Sequence, residues 1–163
     1  MAKPSLYLET TIVSYLTAWP SRDLVMAARQ QVTREWWEKR RSHFDIYISQ
    51  FVLEEAGQGD VEAAQRRLAV LKGMPLLTAT DQVRDLAASL LRAKAVPHKA
   101  LTDALHIASA AVHEIGFLMT WNCRHLANAE TMETVRQVIL AGGYRPPVIC
   151  TPDELMGEYD HAR

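Results

Sequence analysis

Short apolar runs alternate along this chain with longer segments in which apolar residues recur at helical spacing. The short runs predict strands at residues 5–8, 45–48, 75–77, 117–120 and 148–150. The longer segments predict helices at residues 10–17, 23–41, 50–56, 60–72, 80–95, 102–114 and 130–141, with helical turns at 124–127 and 151–154. This alternation favours an α/β fold in which helices cover both faces of a short-stranded, mainly parallel sheet.

Local signals mark the ends of several of these helices. Thr80 is predicted to cap the fifth helix with its side chain. Gly57, Gly116 and Gly142 follow helical segments and are predicted to end them. Because strands this short and apolar are expected in a sheet buried on both sides, binding sites are expected just beyond the carboxyl ends of the strands.

Composition narrows the class of protein. The 163 residues fit one domain spanning 1–163, and 48% hydrophobic with 23% charged residues is typical of a soluble globular chain. A net charge of -1 excludes a strongly basic nucleic-acid-binding protein, so any RNA contact needs a local basic rim or bound cations. Cys123 and Cys150 lack zinc-site spacing and are expected to be reduced thiols packed as small apolar side chains. With no signal or transmembrane segment predicted, we expect a cytoplasmic protein with no membrane partner.

Acidic residues follow the first two predicted strands. Glu9 comes directly after the first strand, where by itself it is explained as a helix-start acid favoured by the helix dipole. Glu54 and Glu55 lie on the short helix after the second strand. On a helical wheel Glu55 falls at the edge of the apolar stripe and is expected to face the sheet, whereas Glu54 points to solvent. The alternative is that both are surface charges.

Asp103 is the strongest single signal. It begins a helix that is apolar almost all round, and such a helix is buried. A carboxylate there is costly unless a cation or hydrogen-bond donors compensate it, although pairing with the helix dipole is an alternative explanation. If Glu9, Glu55 and Asp103 converge, their mutual repulsion calls for a cation, and oxygen ligands alone favour Mg²⁺ or Mn²⁺.

Four segments together resemble a known family. Residues 7–16, 49–55, 103–108 and 120–126 resemble, in this order, the four motifs of the PIN domain (PilT N-terminus-like). The resemblance covers nearly the whole chain and is closest to VapC-like toxins of toxin–antitoxin pairs. It implies a three-layer α/β/α fold and cleavage of RNA that depends on Mg²⁺ or Mn²⁺. It also implies a homodimer and a cognate antitoxin protein that inserts near the active site.

The chain departs from the family pattern at two positions. Glu9 stands where the family usually has Asp, and Asn122 stands at the fourth acidic position. An amide oxygen can coordinate a cation but brings no charge, which weakens a second metal site most. The expected catalytic residues are Glu9, Glu55, Asp103 and Asn122, with the first three as metal ligands. A degenerate, non-catalytic domain is the alternative.

Further polar residues near these motifs are candidates for substrate contact, with capping or simple surface placement as the alternative for each. They are Thr10, Lys99, Thr120, Arg124 and His125. His106 shares a helix face with Asp103. It is expected either to orient a carboxylate or, preferentially, to be a core histidine bonded to backbone.

Trp36 and Trp37 are adjacent on the second helix and therefore point to different sides of it. One is expected in the core and the other on the surface, where it would mark a dimer or antitoxin contact.

The sequence thus favours a metal-dependent endoribonuclease that hydrolyses RNA phosphodiesters as the toxin of a toxin–antitoxin pair. The alternative is a degenerate PIN domain that acts as an RNA- or protein-binding module. A phosphatase or 5′-nuclease built on the same acidic chemistry is a third hypothesis.

Overall fold

In the computed structural model, which describes residues 2–157, the centre of the molecule is a parallel sheet. Its strands in the described residues are β1 (Ser5–Leu8), β2 (Asp45–Ser49), β3 (Leu76–Leu77), β4 (Phe117–Met119) and β5 (Val148–Cys150). They lie in the order β3-β2-β1-β4-β5, and every adjacent pair is parallel. The predicted mainly parallel sheet is confirmed.

The helices of the described residues form two groups. They are α1 (Thr10–Thr17), α2 (Leu24–Lys39), α3 (Gln50–Ala56), α4 (Val61–Leu71), α5 (Asp81–Arg92), α6 (Leu101–Val112) and α7 (Ala129–Ala141), with 3-10 helices at Arg41–His43 and Pro152–Leu155. α1 packs with α2, α3 and α4, whereas α5 packs with α6 and α7. The sheet lies between these groups, which gives the predicted three-layer α/β/α arrangement.

Some predicted helix ends were wrong. α5 ends at Arg92 and not near residue 95, and Lys94 then adopts a left-handed φ of 55° that no helix continues through. α6 ends at Val112, and the left-handed residue after it is Glu114 (φ 58°), so Gly116 does not end this helix. Gly116 instead lies against β1, where its N–H donates to Ser5 Oγ at 2.9 Å. Residues 123–126 form a hydrogen-bonded turn and not a helical segment.

The core is continuous across the sheet. Leu6, Tyr7 and Leu8 of β1 are fully buried, as a central strand covered on both faces requires. Trp36 is also fully buried and Trp37 only partly, so the two tryptophans differ as predicted. The thiols differ as well: Cys150 is buried, but Cys123 is exposed and is not the packed side chain that we expected. Within residues 2–157 no helix combines the length and apolarity needed to cross a bilayer.

The sheet order creates one position suited to a binding site. β1 and β4 are neighbours, and the chain leaves β1 towards β2 but leaves β4 towards β5, on opposite sides. In open parallel sheets, a crevice forms beyond the carboxyl ends of two such strands. Glu9 follows β1 at this point, and Thr120 follows β4.

Candidate functional site

Glu9 lies in the crevice between β1 and β4. Its side chain is only 3% exposed, and it caps α1 by accepting from Thr11 N at 3.0 Å. The same oxygen, Oε2, also accepts from Thr11 Oγ1 at 2.5 Å and from Thr120 Oγ1 at 2.8 Å. Three donors therefore fix one oxygen of this carboxylate, in place of the simple dipole contact that a helix-start acid makes.

Burial makes the charged form of Glu9 costly. Desolvation raises the pKa of this carboxyl above its ordinary value, against the charge of His106 and the hydrogen bonds from Thr11 and Thr120, which lower it. A buried acid in this condition is stabilised in its charged form by a bound cation.

Glu55 faces the same crevice from α3, while its neighbour Glu54 is exposed, as the helical wheel predicted. Its Oε1 accepts from Thr10 Oγ1 at 2.7 Å and contacts His106 Nε2 at 2.5 Å. Partial burial by itself would raise the pKa of Glu55. The hydrogen bond and charge of His106, together with the Thr10 hydroxyl, outweigh burial, so the pKa falls below its ordinary value.

His106 is fully buried on α6, as our preferred explanation of a core histidine requires, but its side chain forms no hydrogen bond to backbone within the described residues, so that part of the explanation was wrong. Its Nδ1 lies 2.6 Å from Tyr7 Oη, and its Nε2 faces Glu55. Tyr7 Oη lies 2.6 Å from Ser49 Oγ in turn. Our other interpretation, that His106 orients a carboxylate, matches these contacts, although the carboxylate is Glu55 and not Asp103.

One ligand atom from each of Glu9, Glu55 and His106 lies within 4.8 Å of the others. In the described residues, no hydrogen bond engages Glu9 Oε1 or Glu55 Oε2, because Glu9 Oε2 and Glu55 Oε1 accept all of those formed. Two carboxylates therefore converge with one oxygen each uncommitted, and we call this pair the acidic centre. Hard oxygen donors of this kind fit a divalent cation such as Mg²⁺ or Mn²⁺.

Asp103 lies outside that group. Its carboxylate is 15% exposed, and Oδ2 lies 2.9 Å from His125 Nδ1. Asn122 Nδ2 donates to Asp103 Oδ1 over a long 3.4 Å, and Asn122 Oδ1 accepts from His125 N at 3.0 Å. The structure thus brings Asp103, Asn122 and His125 together beside the acidic centre.

A chain of hydrogen bonds joins the two groups. The backbone N–H of Asn122 donates to Thr120 Oγ1 at 2.9 Å, and Thr120 donates to Glu9. Thr10 and Thr120, predicted as substrate contacts, are both buried and hold Glu55 and Glu9 respectively.

A groove of about 580 Å³ opens next to His125. We call it the basic groove; its lining residues are Lys94, Ala95, Val96, Pro97, His98, Arg124, His125, Asn128 and Thr131. No acidic residue of the described part lines it, and it lies at the amino end of α7, whose dipole favours anions. Of the predicted substrate residues, Arg124 and His125 line the groove, whereas Lys99 is exposed and does not.

Sequence reasoning missed the part played by Tyr7. A tyrosine inside an apolar strand resembles an ordinary core residue, and only its partners across the fold, Ser49 and His106, show otherwise. Lys94 and His98 were missed because they reach the groove from a loop that carries no motif.

No family model matches the chain, and no curated protein matches it in sequence. Two solved structures resemble it. One is Mycobacterium tuberculosis VapC20, described as a sarcin-ricin loop cleaving toxin, with 20% identity and a TM-score of 0.52 over 70% of this chain and 87% of that chain. The other is a chain of Rickettsia felis VapBC2 bound to a DNA fragment from its promoter, with 16% identity and a TM-score of 0.52 over 90% and 97%. At these identities the likeness concerns the architecture, and this chain has the PIN-like fold of its VapC neighbours.

Proposed function

We propose that this chain is a metal-dependent endoribonuclease that acts as the toxin of a toxin–antitoxin pair. The observation that carries the proposal is the acidic centre, in which Glu9 and Glu55 converge at the carboxyl ends of parallel strands. Each keeps one oxygen free of hydrogen bonds in the described residues while its other oxygen is fixed. Such preorganised carboxylates are suited to holding Mg²⁺ or Mn²⁺.

The residues of the centre have separate tasks in this proposal. A bound divalent cation supplies Lewis acidity and neutralises charge on the scissile phosphate. Glu9 and Glu55 hold it, with Thr10, Thr11 and Thr120 fixing the two carboxylates. We assign Asp103 to the same site as the third acid, and its hydrogen-bonded link to Glu9 through Asn122 and Thr120 supports this assignment.

We propose the basic groove as the path of the RNA backbone. Arg124 and His125 line it, and Lys94 and His98 add basic side chains from the opposite loop. Phosphate contacts of this kind supply affinity without reading sequence. The groove is adjacent to Asp103 because His125 both lines it and bonds that carboxylate.

A homodimer and an antitoxin partner belong to the same proposal. Large apolar side chains are exposed at the beginning of α2 and in the loop before it, namely Trp19 (76%), Leu24 (86%), Val25 (63%) and Met26 (43%). Exposed apolar patches of this kind are typical of protein–protein contacts. Sedimentation velocity of the chain alone would report the self-association.

The degenerate domain is the second candidate, and Asn122 favours it. The Asn122 amide nitrogen donates a hydrogen bond to Asp103, and its amide oxygen accepts one from the backbone N–H of His125. Both ends of the side chain are therefore engaged within the protein. In that case the groove would bind RNA without cleaving it.

Adjacent glutamates offer a matched pair of variants for the test. Glu55→Gln should reduce metal-dependent cleavage of a pool of structured RNAs by more than about 100-fold, because even the partners of metal ligands are worth about 10–100-fold. Glu54→Gln, at the exposed neighbour, should cleave like wild type. Rates would be measured with Mg²⁺, Mn²⁺ or EDTA, alongside Asp103→Asn, which should also be inactive.

Cleavage by wild type that persists in EDTA, or equal rates for the two glutamate variants, would count against the proposal. A folded protein that binds RNA but cleaves none under any condition would favour the degenerate domain.

A further inference from the structure

Behind Glu55 lies a buried line of polar side chains on three different elements. Ser49 ends β2, Tyr7 lies in the central strand β1, and His106 lies on α6; all three are 0% exposed. The contacts run from Ser49 Oγ to Tyr7 Oη (2.6 Å), from Tyr7 Oη to His106 Nδ1 (2.6 Å) and from His106 Nε2 to Glu55 Oε1 (2.5 Å). The tyrosine and imidazole rings also pack edge to face with centroids 5.6 Å apart.

The direction of these hydrogen bonds follows from the end of the line. A carboxylate only accepts, so His106 Nε2 donates to Glu55. When the imidazole is neutral, Nδ1 accepts a hydrogen bond from Tyr7 Oη, and Ser49 Oγ then donates to Tyr7 Oη. When the imidazole is protonated, Nδ1 donates to Tyr7 Oη, and Tyr7 donates to Ser49. In both forms Nε2 donates to Glu55, and every group in the line has a partner.

Burial makes these hydrogen bonds costly to disturb. Turning the imidazole would leave Nδ1 and Nε2 without their partners inside the protein and would leave Tyr7 Oη with Ser49 alone, and each lost hydrogen bond of a buried group is unfavourable. Tyr7 thus fixes the ring, and the ring fixes Oε1 of Glu55. The other oxygen of Glu55, Oε2, is the one without a hydrogen bond in the described residues.

We propose that His106, held by Tyr7 and Ser49, is a positioning residue that orients Glu55 for the cation and is not itself a metal ligand. The proposal rests on the proposed function, since it assigns a task within the same centre. It also distinguishes two roles for the imidazole, because its nitrogen lies close enough to the carboxylate oxygens of Glu9 and Glu55 to be a metal ligand. An Nε2 that donates to a carboxylate has no lone pair for a metal.

Tyr7→Phe tests the line of hydrogen bonds with little disturbance of the packing, because it removes only the hydroxyl group. We expect the Mn²⁺ affinity, measured by calorimetric titration of the full chain, to fall about 10-fold or more. Ser109→Ala is the matched control: it removes another buried hydroxyl, on the same helix as His106, which donates to Leu105 O and does not touch Glu55. Its Mn²⁺ affinity should equal that of wild type.

Substitutions of the imidazole separate positioning from packing. Glutamine can place a donor near the position of Nε2, so His106→Gln should retain more Mn²⁺ affinity than His106→Ala. In a double-mutant cycle, Tyr7→Phe should change the Mn²⁺ affinity little once Glu55 is replaced by Gln, because the line of hydrogen bonds acts through Glu55. Cleavage assays should show a lower kcat with an unchanged KM for RNA.

The tautomer gives a readout that needs neither metal nor activity. Nitrogen-15 NMR of the metal-free protein should show the proton of His106 on Nε2 in wild type. A proton on Nδ1 with a bare Nε2 would overturn the proposal, as would equal Mn²⁺ affinity in wild type and Tyr7→Phe. Failure of the wild type to cleave RNA, with Mn²⁺ affinity still dependent on Tyr7, would remove the proposed function and leave the positioning role standing.

Discussion

Single hydroxyl groups decide how the acids of this protein are held. Thr10 and Thr11 are consecutive, yet Thr10 donates to Glu55 and Thr11 donates to Glu9, because side chains one residue apart on a helix point about 100° apart. The first turn of α1 thus serves both carboxylates. Thr120, from the end of β4, completes the donors of Glu9.

Replacing Glu9 by Gln should separate stability from metal binding. Burial raises the pKa of Glu9 in the folded protein. At a pH above the ordinary pKa of a glutamate, the unfolded chain has therefore lost this proton while the folded chain still retains it. In EDTA the free energy of unfolding of wild type should therefore fall, relative to Glu9→Gln, as the pH rises from about 5 to about 8. Urea denaturation at several pH values would measure it.

Adding Mn²⁺ at the alkaline end of that range should raise the melting temperature of wild type and leave that of Glu9→Gln unchanged. Parallel pH curves in EDTA, or an equal Mn²⁺ response of both proteins, would contradict the assigned role of Glu9.

Sequence reasoning placed single acids well where one local pattern governed them. Glu9 followed from its strand and Glu55 from its helical wheel, and both face the crevice between β1 and β4. Asp103 was expected to converge with them, but its carboxylate lies outside their close group and is hydrogen-bonded to His125 and Asn122. Those partners come from a turn after β4, and no pattern on α6 reports the geometry of that turn.

Among the elements, the end of α6 shows how a helix can stop without glycine. Glu114 takes up the left-handed conformation, its N–H donates to Ala111 O, and the chain enters β4 from there. The sequence suggested Gly116 for this position because glycine usually occupies it. Gly116 instead lies beside β1, where its N–H donates to Ser5 Oγ.

Glu114→Gly should stabilise the protein slightly. The left-handed conformation of Glu114 costs about 1–2 kcal/mol, which glycine would not incur. Glycine would in turn lower stability by about 0.5–1 kcal/mol, because it loses more chain entropy on folding. We expect the free energy of unfolding to rise by roughly 0.5 kcal/mol, measured by urea denaturation. The control is Glu133→Gly, at an exposed position inside α7, which should lower it by about 1 kcal/mol. A loss of stability in both variants would show that Glu114 contributes more than its conformation.

At the scale of the whole molecule, basic side chains are concentrated in one groove although the net charge is close to zero. The net charge of -1 gave no sign of a nucleic-acid surface, yet the basic groove collects Lys94, His98, Arg124 and His125 with no acid among its described lining residues. The loop after α5 and the turn after β4 supply these side chains. Composition could not reveal the groove because folding, and not the sequence neighbourhood, assembles it.

Replacing Lys94 and Arg124 by Ala should weaken RNA binding through the backbone phosphates. For every phosphate that is no longer bound, the slope of log affinity against log salt should become shallower by about 0.7 for single-stranded RNA. Fluorescence anisotropy in EDTA would measure binding without cleavage, and Lys72→Ala, at an exposed lysine outside the groove, is the control. An unchanged salt slope in the double variant would exclude the groove as the RNA path.

The unequal cysteines have a practical consequence for such measurements. Cys123 is exposed between Asn122 and Arg124, whereas Cys150 is buried and burial, with the nearby charges of Glu154 and Asp153, raises its pKa to about 12. Because a thiol must ionise to react, a maleimide dye will label Cys123 and spare Cys150. The natural chain therefore offers one selective attachment point for a fluorophore, between residues whose side chains hydrogen-bond Asp103. Quenching of the attached fluorophore would report the arrival of RNA in real time.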